Sequence, residues 1–263
     1  MGKKKTGKMV FPQGEQIEQI KSAMQEFGLY GSVNSFEFFA KKTLEAHGTT
    51  FDFLIELFRH EYDHKESARV ARWIIQSKLP KQFKTLEDYD FSRQPNIDPT
   101  LITGLASCRF ITEGQNVIFL GPPGVGKTHL ATALAYEAII KGYETRFAKL
   151  NEFIEAVHKA ADTSVIRLHR SLVSPELLIL DDIDYYSTDQ LAGQFLFTVL
   201  KERYENNVST IITSNRNPKT WDIFGKPENT PAILDRLFQD DRAITINITS
   251  SSQRVSRIPE LLA

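Results

Sequence analysis

A single cysteine, Cys108, leaves this chain of 263 residues without an intramolecular disulfide or a cysteine-built zinc site. Cys108 is therefore expected to be a small buried residue in a protein of a reducing compartment. Long apolar runs are missing as well. Stretches such as Val117-Ile118-Phe119-Leu120 fall far short of the roughly 18 residues that a membrane helix requires. Neither sign of charge is in excess: 32 Lys and Arg face 33 Asp and Glu, for a formal net charge of -1. That balance excludes a uniformly basic coat for nucleic acid, though not a local basic patch. The basic start, Met1-Gly2-Lys3-Lys4-Lys5, meets only Met9-Val10-Phe11, too short for a signal-peptide core. Met1 to Thr6 also fits a loose myristoylation pattern, read here as a solvated tail. With 41% hydrophobic and 25% charged residues, wholesale disorder is excluded. The expectation is a cytoplasmic globular chain of one to two domains that does not enter a membrane.

The two parts of the sequence read differently. From 16 to 76, helical spacing dominates: Phe51, Leu54, Ile55, Phe58 and Tyr62 recur at threes and fours, and Val70, Trp73 and Ile74 continue an apolar stripe. Gly28, Gly31, Gly48 and Asn34-Ser35 punctuate it. Residues 1–80 are thus expected to form a small all-helical domain. Residues 81–100, polar and carrying Pro95 and Pro99, read as a linker. In 101–263 the short apolar or β-branched runs 116–120, 145–148, 177–180, 210–213 and 243–248 alternate with helical stretches at 128–141, 150–161 and 191–205. Ser187-x-x-Gln190 spells a capping box before the last of these. Such alternation predicts an α/β fold with a parallel sheet covered on both faces.

Chemistry concentrates in this second part. Gly121-Pro122-Pro123-Gly124-Val125-Gly126-Lys127-Thr128 matches G-x-x-x-x-G-K-[ST] between a strand and a helix. The glycines let backbone N–H groups approach phosphate at a helix start. Lys127 would reach the β- and γ-phosphates, and Thr128 would offer a hydroxyl to Mg²⁺. Leu177-Leu178-Ile179-Leu180 delivers Asp181 and Asp182 to the carboxyl end of the sheet, where ligands of such folds bind. Asp181 would hold the hydrated Mg²⁺, and Asp182 would orient or deprotonate the attacking water. Thr210-Ile211-Ile212-Thr213-Ser214-Asn215 ends in a polar residue able to reach the γ-phosphate or its water, whereas spacing alone assigns Arg236 no more than a helix charge.

Taken together, these motifs resemble the AAA+ ATPases, a P-loop fold with a three-layer αβα core and a five-stranded parallel sheet. Within that group the chain is similar to the clade of the IstB-like transposition helper and the helicase loader DnaC. The likeness runs from about Phe53 to Arg254 and includes Phe83-Lys84-Thr85-Leu86-Glu87-Asp88-Tyr89-Asp90-Phe91, the phosphate loop through His129-Leu130-Ala131, Arg203-Tyr204-Glu205 and Trp221. The resemblance implies ATP and Mg²⁺ as cofactors, with His129 beside the phosphate loop. It makes Asn215 sensor 1 and Arg236 an arginine finger reaching a neighbouring subunit, so that ATP turnover depends on a homo-oligomer. Ser252-Gln253-Arg254 resembles the family's Ser-aromatic-Arg stretch, with Gln253 in the aromatic position and Arg254 in the sensor-2 position. About 20 residues follow Asp241, which implies a truncated or absent lid. Where many relatives carry Glu, Asp182 is one methylene shorter, which implies slow hydrolysis.

Between Arg59 and Lys84 seven Lys or Arg face three acids, and Lys3, Lys4, Lys5 and Lys8 add a basic tail. Lys65, Arg69 and Arg72 recur at i, i+4 and i+7. Composition allows either a solvated face or phosphate neutralisation. The resemblance implies the latter, with duplex DNA bound through Lys3, Lys4, Lys5, Arg59, Lys65, Arg69 and Arg72 and a transposase as partner. No base-reading module is spelled. The alternatives are a helicase loader, a P-loop small-molecule kinase and a nucleotide-gated scaffold. The helical N-terminal layout favours the transposition helper over the loader, and the paired acids with Asn215 favour hydrolysis over a kinase.

Overall fold

The computed structural model describes residues 12, 14–159, 162–184, 188–239 and 242–249, without the side chains of 162 and 163. The chain folds as two compact units, Met1–Arg72 and Trp73–Ala263.

The first unit holds α1 (Gly14–Glu26), α2 (Tyr30–Val33), α3 (Phe36–Glu45) and most of α4 (Thr50–Ser77). Its core gathers Ile17, Met24, Val33, Phe36, Ala40, Phe53 and Leu57. Phe36 and Phe53 meet edge-to-face at 5.3 Å. The buried face of α4 is not the expected one. Phe51, Ile55, Phe58 and Tyr62 are exposed, while Phe53, Leu57 and Glu61 turn inward. Glu61 is drawn in because its carboxylate accepts the Ser32 backbone N–H at 2.8 Å, beside the Ser32 hydroxyl bonded to Leu57 O. Both sets of positions satisfy helical spacing, so periodicity locates the helix without choosing its buried side.

The second unit begins with a segment that sequence composition presents as a linker yet buries Tyr89, Gln94 and Ile97. It includes a 3-10 turn at Phe91–Arg93. Then come α5 (Pro99–Ala106), α6 (Arg109–Thr112), β1 (Asn116–Leu120), α7 (Lys127–Ile140), β2 (Thr145–Lys149), α8 (Leu150–Lys159), α9 (Asp162–Val173), β3 (Leu177–Asp181), α10 (Gln190–Glu205), β4 (Ser209–Ser214), α11 (Asn229–Leu237) and β5 (Ala243–Asn247). All pairings are parallel, in the order β2-β3-β4-β1-β5. The strands lie where the apolar runs predict, since a parallel sheet covered on both faces needs unbroken hydrophobic segments. Every residue of β3 is buried. The cap of α10 is Asp189, whose side chain accepts from Ala192 N–H, and not the predicted Ser187, which lies outside the described residues. No helix among the described residues is long and apolar enough to cross a membrane.

Cys108 is fully buried, and burial pushes its thiol up to about 11. Thiolate is the reactive form, so the folded protein is expected to resist a disulfide reagent at pH 8 and to label rapidly once unfolded. Equal labelling rates in the two states would contradict this placement.

The order of the strands fixes where a ligand can sit. The chain leaves β1 for the far edge of the sheet, and later crosses from β4 over β1 to β5. The carboxyl ends of β1, β3 and β4 therefore open onto one crevice, the place where ligands bind such sheets.

Candidate functional site

Between β1 and α7, residues 121–126 reverse the chain. Gly124 and Gly126 take φ of +82° and +101°, open to glycine at little cost. A Cβ on Gly126 would also lie 2.8 Å from the Tyr89 ring. The loop leads into the amino end of a 14-residue helix, where free N–H groups and the helix dipole favour an anion. Lys127 is buried, and its ammonium donates to Gly121 O (2.8 Å), Pro122 O (2.9 Å) and Asn215 Oδ1 (2.8 Å).

The acids stand opposite. Asp181 Oδ1 accepts from the Thr128 hydroxyl at 2.8 Å and the Thr213 hydroxyl at 2.7 Å, while the buried Oδ2 has no partner. Burial raises the Asp181 carboxyl above its ordinary range, the neighbouring Asp182 charge adds to that, and the two hydroxyls oppose it. A carboxylate so placed has a net demand for positive charge. Thr213 serves both acids, because its oxygen also accepts the Asp182 N–H at 2.8 Å. Asp182 itself sits at φ +54°, a conformation uncommon outside glycine. On the next layer, buried Asp184 accepts the Asn215 N–H at 3.0 and 3.1 Å, fixing the residue that Lys127 touches. Neither Thr213 nor Asp184 is among the residues expected at the site from sequence. Their signals are nonetheless present: a polar residue inside an apolar strand, and a third acid two positions beyond Asp182.

The segment before the sheet is fastened to the same loop. The Tyr89 hydroxyl donates to Val125 O at 3.3 Å, and burial pushes it up to about 12, so it stays protonated. His129 Nε2 lies 2.9 Å from Thr85 O, and its ring packs on Tyr89 at 5.0 Å. Burial lowers His129 below the usual imidazole range, which leaves a neutral ring donating from Nε2.

Residues 22–258 match the family described as IstB-like ATP binding protein. The chain belongs to that family. It is 37% identical over 208 residues to the "Insertion sequence IS21 putative ATP-binding protein" of Pseudomonas aeruginosa, covering 78% of this chain and 76% of that one. Against the "Insertion sequence IS5376 putative ATP-binding protein" of Geobacillus stearothermophilus it is 35% identical, covering 78% and 80%. A relative in Mycobacterium tuberculosis, "Putative ATP-binding protein Rv3427c in insertion sequence", is 30% identical over 87% of this chain and 91% of its own. In fold, the chain is similar to AMPPCP-bound DnaA from Aquifex aeolicus, with a TM-score of 0.53, 21% identity, and coverage of 70% of this chain and 56% of that one. The DnaI crystal structure gives 0.51 at 20% identity, covering 67% and 95%. The AAA+ fold is thus shared.

Within this IstB-like core, Arg236 lies away from its own phosphate loop. It stands in the last turn of α11, just before Leu237, whose carbonyl accepts from Asn116 Nδ2 at the start of β1. The phosphate loop leaves the other end of that strand, roughly 13 Å along it. The Arg236 guanidinium donates to Ala232 O at 2.6 Å and lies 5.9 Å from the Tyr204 ring centre.

The residues implied for DNA fall in two groups. Lys65 pairs with Glu61 at 3.6 Å and Arg69 with Glu66 at 2.8 Å, whereas Arg59 and Arg72 are exposed and have no ion pair among the described residues. Lys65, Arg69 and Arg72 share one side of α4, and Arg59, six residues before Lys65, points about 120° away from it. Lys3, Lys4, Lys5, Lys8, Ser252, Gln253 and Arg254 lie outside the described residues.

Proposed function

We propose that this chain is an ATP-hydrolysing helper of insertion-sequence transposition, which assembles as a homo-oligomer on duplex DNA without reading its sequence and there engages a transposase. One observation carries the reading: Lys127, Thr128, Asp181 and Asn215, from two strand ends and a helix start, are joined by hydrogen bonds of 2.8 Å at the mouth of a glycine loop. The names of its insertion-sequence relatives give the biological setting.

The residues fit ATP and Mg²⁺. The partnerless Asp181 Oδ2 and the Thr128 hydroxyl are oxygen donors of the kind a hard cation takes, and no cluster of three or more His, Cys, Asp or Glu among the described residues offers a separate metal cage. A bound Mg²⁺ would neutralise charge on the β- and γ-phosphates. The chain's own contributions are binding and orientation. Loop N–H groups and Lys127 hold the triphosphate, Asn215 steadies its outer end, and Asp182 takes a proton from the attacking water. Arg236, remote from its own loop, serves the site of the next subunit. Asp182, one methylene shorter than glutamate, makes turnover slow, which suits a protein whose assembled state must persist long enough to be recognised.

For DNA, Arg59 and Arg72 are the members of the expected set that are exposed and form no ion pair among the described residues. Replacing both by Glu is expected to weaken duplex binding in the presence of ATP and to lower the slope of log K against log salt by about 2, without changing any sequence preference. Fluorescence anisotropy over a salt series reads both quantities. Unchanged affinity and slope would remove α4 from the DNA surface.

A further inference from the structure

An arginine that serves a neighbouring subunit's γ-phosphate faces a conflict in its own subunit. A carboxylate would hold it in place, but would also neutralise the charge it delivers and occupy its N–H donors. Arg236 is held without one: it is half-buried and forms no ion pair among the described residues. Its Nη1 donates to Ala232 O on the same helix, and its Cζ lies 5.9 Å from the centre of the Tyr204 ring. That separation is within reach of the attraction between a cation and an aromatic face, which uses no N–H donor and cancels no charge.

The ring is itself fixed. Tyr204 stands in the last turn of α10, and its hydroxyl donates to Gln239 Oε1 at 2.9 Å, three residues beyond Arg236. Arg242 lies closer to the same ring, its Cζ 4.5 Å from the centre. The Arg242 guanidinium donates to Tyr204 O at 3.3 Å, Gly114 O at 3.4 Å and Asn207 Oδ1 at 2.6 Å, so its donors are committed within its own subunit. The two arginines therefore divide the work around one ring. Arg242 fastens Tyr204, and Tyr204 steadies Arg236.

We propose that Tyr204 is the positioning residue for Arg236, its ring holding the guanidinium in place with the charge undiminished and the remaining donors available to the neighbour's nucleotide. This rests on the reading of Arg236 as acting in trans. Tyr204 touches no nucleotide itself. Its effect passes through Arg236, and so it is felt in the turnover of the next subunit.

The test measures single-turnover ATP hydrolysis on duplex DNA by the full chain carrying Tyr204→Leu, Tyr204→Phe or ring-fluorinated phenylalanines at position 204. Fluorines drain the negative face of the ring while nearly keeping its shape. Tyr204→Leu is expected to lose about 10–100-fold in rate, the scale of a misplaced catalytic group, with ATP affinity unchanged. Tyr204→Phe keeps the aromatic face and should stay within about threefold of wild type, and the rate should then fall stepwise as fluorines are added. Mixed with Lys127→Ala protomers, which supply an intact Tyr204 and Arg236, Tyr204→Leu should regain turnover; mixed with Arg236→Ala it should not. Wild-type turnover in Tyr204→Leu would overturn the proposal, as would Tyr204→Phe as slow as Tyr204→Leu or a rate indifferent to fluorine. So would rescue by Lys127→Ala of the Arg236→Ala variant but not of Tyr204→Leu. The fluorine series stands even if Tyr204→Leu fails to fold. If Lys127→Ala rescues neither variant, the reading of Arg236 in trans fails and carries this proposal with it.

Discussion

Alanine at Arg236 is expected to leave ATP affinity within about twofold of wild type while DNA-stimulated hydrolysis falls by about 10³-fold or more, the range seen where an arginine supplied to a GTPase is lost. The asymmetry follows from position. Arg236 touches Ala232 O and neighbours Tyr204 at the end of the sheet opposite its own phosphate loop, so its removal disturbs nothing that holds the nucleotide in the same subunit. The loss is confined to the step in which charge develops on the γ-phosphate. Folding is also spared, because Arg236 is partly exposed and makes no ion pair among the described residues. Single-turnover hydrolysis beside equilibrium nucleotide binding separates the two effects. A variant that hydrolyses at the wild-type rate, or one that no longer binds ATP, would refute a role in trans.

Alanine at Lys127 acts on the opposite step. The ammonium joins Gly121 O, Pro122 O and Asn215 Oδ1, so its loss removes the buried positive charge facing the triphosphate and also unties Asn215 from the loop. Hydrogen bonds to charged groups are worth about 1.5–3 kcal/mol, which puts the expected drop in ATP affinity at about 10–100-fold. Turnover should become undetectable, and ATP should no longer promote assembly on DNA. Calorimetric titration with ATP and sedimentation with duplex DNA read the two consequences. Retained ATP-dependent assembly would mean that the loop is not the nucleotide site.

Much of the core is legible in the sequence. Leu177 to Leu180 spells an unbroken apolar run because β3 is buried on both faces, and the glycine loop is readable because a close turn onto phosphate needs those glycines in that spacing. What escapes depends on partners far along the chain. The inward face of α4 is set by Ser32 and the packing of α2 and α3, which the spacing of Phe51, Ile55, Phe58 and Tyr62 does not contain. The segment before the sheet has the polar composition of a linker, yet Tyr89 and Gln94 are buried, and for Tyr89 it is the distant phosphate loop that supplies the contact. Helix α9 escapes as well: of its five apolar residues, Leu172 alone is fully buried among its described side chains. Thr213 and Asp184 matter through hydrogen bonds to residues the motifs do name, and a motif does not show its own supports.

If ATP turnover belongs to the interface between subunits, two inactive variants should rescue one another when mixed. Lys127→Ala protomers carry an intact Arg236, and Arg236→Ala protomers carry an intact loop; neither alone should hydrolyse ATP on duplex DNA. Mixed in equal amounts, they should regain a substantial fraction of wild-type turnover, because in the mixed assembly some intact loops face intact arginines. A mixture as inactive as its two components would contradict the account.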